Sequence, residues 1–545
     1  MTPRLFAVVL ALAVLNLSHA LADTLNVPSE YATIQDAIDA SSDGDIIAIA
    51  AGAYYVDSLN PGGKEITLLG ATHSDGAPAS VLDGSDSHRV VHCETDEGAA
   101  TIFENLVIQN GVSSNGGGMR TSDGSSPTLI NCRFSNNNST GNGGGLYSTG
   151  SSTFTDCTFS NNSATGTYSR GGGVYATGSP TFINCTFTNN DCTNEGGGLY
   201  RKGSGVPNLT NCTFSDNTAG EAGGGMYNYK GSLTLADCTF ESNSAPEGGG
   251  MYNDEQVSAN LTSCTFSDNS ASTVGGGMVN QDNSTSVNLI ACTFDANSAP
   301  IGGGMASFQS DPTLTNCTFT NNTATNDHGG GIYSYGANCS TTITSCTISG
   351  NTGKKGGGIY CFHGLAILSD CTVEGNTASG SNGSNGNGGG IYCDTNNTTT
   401  ITDCTIDDNT PNNCRLDSTA SFTLLASTTV SSSGACCLDG GMCVTTTASD
   451  CIIAGGTYAG DDVACADAGC SAQALSGACC LDGGACVTTT ESDCTAAGGS
   501  YAGDDVACVD AECVTFCAAD INRDGVVDGK DLGAVLAAWG LPCEG

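Results

Sequence analysis

The chain has 545 residues, with 14 Lys plus Arg against 55 Asp plus Glu, a formal charge of −41. A grip on nucleic-acid phosphates takes clustered Lys and Arg, so that class is excluded, and anionic membranes and polyanionic sugars are disfavoured unless a divalent cation bridges them. One Trp and 6% aromatics do not furnish a large globular core, while 77 glycines and low charge density point to a repeat architecture.

In chain order, residues 1–22 read as an export signal. Arg4 supplies the positive start, Leu5 to Leu17 is apolar, and Ala20-Leu21-Ala22 is a small-residue cleavage site. The apolar run is shorter than the ~20 residues a membrane span requires, and no other stretch approaches that length, so no membrane span is expected. The chain is expected to be secreted. Thr33 then precedes Ile34, Ala37 and Ile38 at helical spacing with Asp36 in the first turn, which predicts a short capped amphipathic helix. Its expected role is to cover the open end of a solenoid.

The repeats follow. Gly-Gly-Gly recurs eleven times, from Gly116 to Gly388, at steps of 25 to 28 residues and a last step of 32. An apolar residue follows each triplet (Met119 to Ile391), and Tyr follows that in eight of the eleven. Between triplets stands Leu-x-Asn-Cys-Thr-Phe, as in Leu209 to Phe214, and an Asn occurs three residues after each Phe or its Ile or Val substitute, from Asn137 to Asn409. Leucine-rich and helical repeats do not fit, because Gly-Gly-Gly and Asn break helices and Leu-x-x-Leu-x-Leu is absent. Short apolar alternations between Gly and Asn predict three brief strands per turn of a parallel β-helix, with like side chains stacked at ~4.8 Å.

Within each coil, Leu209, Cys212 and Phe214 are expected to point inward, with Asn211 as a bend that resets the alternation. The Asn from 137 to 409 are expected to tolerate a left-handed bend and to hydrogen-bond along the stack. Eleven cysteines, from Cys132 to Cys404, share one rung. They read as small buried filler rather than a metal ladder or a chain of disulfides, and an odd number cannot pair completely. The Tyr positions alternate out of phase with the buried residue before them. They are read as an exposed aromatic stripe whose rings either stack on sugars or, the preferred reading, pack on one another.

The opening stretch Val27-Pro28-Ser29-Glu30-Tyr31, with Thr33 to Ile38, Gly44-Asp45 and Ala53-Tyr54-Tyr55, resembles secreted proteins of the pectin-lyase-like, right-handed β-helix superfamily. The paired Gly-Gly-Gly-apolar and Phe-x-x-Asn signatures resemble the polymorphic outer-membrane-protein repeat. This resemblance implies an all-β fold, a right-handed parallel β-helix over residues 23–430 of about thirteen or fourteen coils, roughly 60 Å long at ~4.8 Å per coil.

Beyond a Ser/Thr-rich linker, two near-copies at a shift of 43 residues each hold six cysteines, Cys436 to Cys470 and Cys479 to Cys513. In an exported chain they read as disulfide-stapled modules at 434–470 and 477–513, each with 15 possible connectivities. The segment 517–543 carries a loop of the EF-hand kind. Asp520, Asn522, Asp524, Asp528 and Asp531 supply side-chain oxygens at positions 1, 3, 5, 9 and 12, Gly525 makes the turn, and Val526 offers its carbonyl. Calcium is the expected ion. Asp at position 12, Val526 and Gly529 resemble a dockerin repeat, which implies a cohesin-like or cell-surface anchoring partner; a dockerin normally has two such segments, and here there is one.

Relatives with this fold include polysaccharide lyases and hydrolases, so an enzyme is the alternative, with a polysaccharide as its partner. The chain lacks the Asn-Thr-Asp, Asp-Asp and Gly-His-Gly set of the polygalacturonase type. Asp407-Asp408 occupies an ordinary repeat turn, and His328 and His363 each precede Gly without an evident partner in sequence. The sequence therefore favours a secreted, non-catalytic β-helical surface, matrix or adhesin-like protein, with no catalytic residues assigned.

Overall fold

The computed structural model describes residues 22–416 except 123, 283–284, 381–386 and 396, then 420–425 and 429–430, and beyond them the backbone of strands between 433 and 504. Two compact units divide at Ser432/Ser433. The first is a parallel β-solenoid. Its chain winds through three sheets of 25, 15 and 11 strands. The largest takes two strands from most coils, such as Leu199–Lys202 and Asn208–Thr210. In four coils these fuse into one long strand, as in Met226–Ala236. The second sheet takes the Thr-Phe-Ser segment (Thr213–Ser215) and the third the pair Thr218–Ala219.

Register is what the repeat dictates. Phe214 stands level with Phe187 and Phe240, and Met226 with Leu199 and Met251, all in parallel pairing. A slip by a whole repeat would give the same contacts, but a slip by one residue would turn every rung outward. Eight phenylalanines from Phe134 to Phe319 form one inner stack, with neighbouring ring centroids 4.4–5.0 Å apart and planes within 13°. Ile348, Val373 and Ile406 continue the column, all fully buried.

Leu209, Cys212 and Phe214 are inward as expected, and Asn211 has φ +50°. The cysteine rung is buried filler: Cys132 to Cys404 are free and at most 2% exposed. Each thiol points at backbone oxygens, Cys212 Sγ lying 3.5 Å from the Phe182 carbonyl and 3.4 Å from that of Thr210. Burial pushes the Cys157 thiol well above its ordinary value, so it stays protonated.

The asparagine ladder differs from expectation in one respect. The left-handed residue is the one before each ladder Asn, for example Asn136, Asn161 and Asp216. That bend turns the following Asn fully inside. Asn217 Nδ2 donates to Asn243 Oδ1 at 2.9 Å and to the Phe187 carbonyl at 2.9 Å, while its backbone N–H reaches the same Oδ1 at 3.1 Å. The pattern runs from Asn137 to Asn409 and closes on Asn413. Buried amides are tolerated because every donor and acceptor is met.

The glycine triplet has two jobs. Gly223 holds φ +67°, a left-handed backbone that costs Gly no Cβ clash, and a Cβ on Gly224 would sit 2.5 Å from the Gly249 carbonyl. At the start of the solenoid, α1 (Ile34–Ala40) is capped by Thr33, whose Oγ1 accepts from the Asp36 N–H at 3.1 Å. Ile34, Ala37 and Ile38 are its buried face. The expected cap helix is therefore present.

In the second unit, Ser433–Leu438, Met442–Thr447 and Thr457–Asp461 form a three-stranded antiparallel sheet. Ser476–Cys480, Cys486–Thr490 and Ser500–Asp504 form another of the same strand order. Cys437 pairs with Cys443 in the first and Cys480 with Cys486 in the second, the same register 43 residues on. The export signal up to residue 21, the disulfide pairing of the modules and the calcium segment lie outside the described residues.

Candidate functional site

Outward-facing columns carry the chemistry. The tyrosines that follow eight of the triplets point out of the sheet, yet seven of them, Tyr175, Tyr200, Tyr227, Tyr252, Tyr333, Tyr360 and Tyr392, are only 1–9% exposed. The expected exposed stripe is thus corrected, while the reading that its rings pack on one another stands. The segment ahead of each triplet lies against the rings: Ala222 and Val274 share their buried cluster, and Arg170, Glu195, Ala222 and Glu247 are joined rung to rung by parallel bridges. From Tyr147 to Tyr252 the rings stack at 5.0–5.2 Å, and from Tyr333 to Tyr392 at 5.3–5.6 Å. Val279 and Ala306 interrupt the stack.

The residue just before each triplet varies from coil to coil, and in three coils it lies against the tyrosine of the next coil. Arg170 stands 5.2 Å from the Tyr200 ring, Lys355 4.5 Å from the Tyr392 ring, and the His328 ring 4.5 Å from that of Tyr360.

The last two belong to one polar cluster. Tyr360 Oη donates to Asp394 Oδ2 at 2.6 Å, and Lys355 Nζ lies 3.6 Å from the same oxygen. Asp394 also accepts from the Thr395 N–H at 2.7 Å and hydroxyl at 2.9 Å. Burial opposes its ionisation, but these hydrogen bonds and Lys355 hold its carboxyl below the ordinary range. Burial and the neighbouring carboxylate push the Tyr360 phenol far up, so it remains a proton donor. His328 Nδ1 lies 2.8 Å from Asp327 Oδ1 without a hydrogen bond, and burial lowers its pKa against the pull of Asp327, which favours the neutral ring. Sequence reading left His328 without a partner although Asp327 precedes it directly; the Tyr360 ring reaches it from the next coil.

An acidic counterpart lies earlier in the solenoid. A groove of about 390 Å³ is lined by Glu195, Glu221, Ala222, Tyr227, Glu247 and Tyr252. Tyr227 Oη donates to Asp254 Oδ2 at 2.7 Å. Here burial, with Glu255 and Asp282 nearby, raises the Asp254 pKa.

Two residues beyond the tyrosines is a further outward column. Phe308, Tyr335 and Phe362 are register partners, and Asp394 takes the next place, following Cys393, the partner of Cys361. Tyr335 and Phe362 stack at 4.9 Å with planes 3° apart, and His363 lies on Phe362 at 4.1 Å and 3°. A left-handed His363 backbone, φ +49°, allows neighbouring rings to lie flat on each other. Tyr335 is 40% exposed, and Phe308, Phe362 and His363 are half-buried. The signal in sequence was the run Tyr333-Ser334-Tyr335 and Tyr360-Cys361-Phe362-His363, which the repeat consensus hid.

The six expected calcium ligands, Asp520, Asn522, Asp524, Val526, Asp528 and Asp531, lie outside the described residues. Asp407 and Asp408 occupy a repeat turn, Asp408 at φ +51° with its N–H on Asp407 Oδ1 at 2.7 Å. Among the described residues no three His, Cys, Asp or Glu are grouped to hold a metal, and no helix is long and apolar enough to cross a membrane.

Parallel coils, glycine corners and an asparagine ladder define a β-helix protein. The chain belongs to the family described as right handed beta helix region, whose model matches residues 86–170, 145–319 and 307–474. No curated protein matches the sequence. Among solved structures it is similar to a mannuronic acid specific polysaccharide family 6 lyase from human gut microbiota, with 11% identity, TM-score 0.32, and 70% of this chain and 86% of that one covered. It is also similar to a tailspike protein of Acinetobacter baumannii bacteriophage Fri1, a capsular polysaccharide depolymerase, at 13% identity and TM-score 0.24, covering 75% of this chain and 62% of that one. A family 28 exopolygalacturonase from Yersinia enterocolitica shows 14% identity and TM-score 0.24 over 74% of this chain and 78% of its own.

Proposed function

We propose that the chain is a secreted, non-catalytic β-helical surface or matrix protein of the adhesin kind, displayed through its C-terminal modules. The observation that supports this is the unbroken asparagine ladder from Asn137 to Asn413, which makes eleven coils one uniform rod. Uniform coils suit presentation of a surface at a distance from an anchor. The anchor in this reading is the dockerin-like segment, with Asp520, Asn522, Asp524, Asp528 and Asp531 as side-chain ligands and the Val526 carbonyl completing a calcium loop. Hard oxygen donors at that spacing suit calcium, and ion binding offsets the mutual repulsion of four carboxylates. Trp539 is the only tryptophan, so its emission reports this segment alone. Calcium added to EDTA-treated protein is expected to shift that emission, and Asp520→Ala with Asp531→Ala to abolish the shift. An unchanged spectrum at millimolar calcium refutes the calcium anchor.

A polysaccharide lyase or hydrolase is the second reading, and the Tyr360–Asp394–Lys355–His328 cluster favours it. A phenol held protonated beside an ionised carboxylate is a donor–acceptor pair of the kind acid–base chemistry uses. Turnover of any of a panel of polysaccharides, lost in Tyr360→Phe, establishes this reading and ends the first.

A further inference from the structure

We infer that Cys361 and Cys393 form a modification site, an inter-coil disulfide that staples the C-terminal end of the solenoid when a disulfide oxidant is present. The inference does not depend on what the rod displays. Both residues are free thiols in this structure, 2% and 0% exposed. They are register partners on the adjacent parallel strands Ile359–Ser369 and Ile391–Cys393. Strands at ~4.8 Å put the two Cα atoms inside the ~4.4–6.8 Å that a disulfide spans. Residues at one register position point to the same face, and the two thiols are in hydrogen-bond contact. In-register side chains keep the Cβ atoms near the strand spacing, so closure draws them together by a few tenths of an ångström to reach the ~4.5 Å a disulfide allows.

This pair differs from the cysteine rung. Cys132 to Cys404 make an unbroken run of eleven, and each thiol lies against the backbone carbonyl two residues before it, as Cys346 does on Thr344 at 3.2 Å. A bridge between two of them would pull both away from a third. In the column of Cys361 the flanking places belong to Ser334 and Leu416, so each sulfur has one sulfur neighbour and no competitor. Thr399 Oγ1, 2.9 Å from Cys393 Sγ, keeps its own bond to Asn397 Oδ1 at 2.6 Å after oxidation. Cys93 shares the column, but its partner in the next coil is Thr121, so it has no thiol to pair with.

The placement matches the need. Gly356 to Gly388 is the 32-residue step, the longest excursion between coils, and the Cys361–Cys393 bond closes it. A cross-link acts mainly by restricting the opened chain, and a solenoid opens from its ends.

The chemistry is two thiol–disulfide exchanges. One cysteine thiolate attacks a sulfur of oxidised glutathione, whose S–S bond breaks and releases one glutathione. The second cysteine attacks the mixed disulfide and releases the other. Two electrons pass from the cysteines to the oxidant, and the two protons end on the released thiols. Hydrogen bonding to Cys393 and burial push the Cys361 thiol well above its ordinary value. Exchange therefore occurs as the last coils close or open, not in the closed fold.

Mass mapping of the full chain tests the site. The protein is produced by export into an oxidising compartment, unfolded in alkylating denaturant without reductant, and digested. The expected result is a Cys361 peptide bridged to a Cys393 peptide, with Cys93 and the rung cysteines alkylated as thiols. Cys361→Ser with Cys393→Ser places in the column the residue it already has at Ser307 and Ser334, so this variant is expected to fold. Hydrogen exchange at the amides of Ile391 to Cys393 should then be faster than in bridged protein by roughly thirtyfold or more. Recovery of both cysteines as thiols, a bridge from either to glutathione, to a rung cysteine or to the C-terminal modules, or equal oxidation of the rung would each overturn the site. A bridge whose loss leaves exchange unchanged would overturn its role as a staple.

Discussion

Tyr227 and Tyr360 occupy the same rung of the repeat, and each donates its hydroxyl to an aspartate one coil further on, at 2.7 Å and 2.6 Å. The geometry is the same and the electrostatics are opposite. Asp254 has Glu255 and Asp282 for neighbours and is raised; Asp394 has Thr395 and Lys355 and is lowered. Beneath both pairs the interior is nearly identical, asparagine on asparagine. The repeat therefore fixes position, and the few outward residues it leaves free decide charge. The largest expected effects should accordingly come from the shared interior and the smallest from the places where the two regions differ.

Phe240→Ala removes the middle of the inner stack, with rings 4.6 and 4.7 Å away on either side. A loss of about 3–5 kcal/mol is expected in denaturant unfolding. A loss under about 1 kcal/mol would mean the coils are not held by this stack.

Asn243→Ala and Asn376→Ala sharpen the comparison, because one lies below the acidic region and the other below the Tyr360–Asp394–Lys355 cluster. Each strands a carbonyl and a backbone N–H that its amide satisfied, so each should cost about 1–3 kcal/mol. Equal losses confirm a common interior. A large difference would show that the outer charges reach the core.

The aspartates should diverge. Asp394→Asn removes an ionised acceptor with three hydrogen bonds and is expected to destabilise at pH 7, whereas Asp254→Asn removes a charge that its neighbours oppose and should be neutral or slightly stabilising. The pH dependence separates them further. Asp394 is lowered in the fold, so its contribution is present above the unfolded carboxylate value of about 3.9 and is lost as pH falls below it. Asp254 is raised, so its contribution is present below about 3.9 and is lost as pH rises through the folded value. Stability profiles of the two variants against wild type from pH 3 to 7 should deviate in opposite senses. Profiles that deviate in the same sense contradict the assignment.

Much of this was legible in the sequence, and the reason is periodicity. A residue type that recurs at every coil has one place to be, so Leu209, Cys212 and Phe214 could be turned inward from spacing alone. The burial of the tyrosines was not legible, because alternation tells which side a ring points to and not whether another segment covers that side. The left-handed residue moved by one position because Asn, Asp, Ser, Ala and Gly all occupy it, from Asn136 to Gly350, leaving no constant letter to read. Asp394 was hidden by the long last step of the repeat. Tyr360 and Asp394 are 34 residues apart and meet only because the chain returns one coil later.

The parallel, like-on-like pairing has a consequence for length. Since Gly223 to Glu247 presents to its neighbours the same rungs that they present to each other, a whole coil can be removed or duplicated and the flanking coils will still match. A fraction of a coil cannot. The molecule behaves as a ruler graduated in single turns, each about 4.8 Å, whose graduations are counted in glycine triplets, and recombination between near-identical repeats would change its reach without having to reinvent its core.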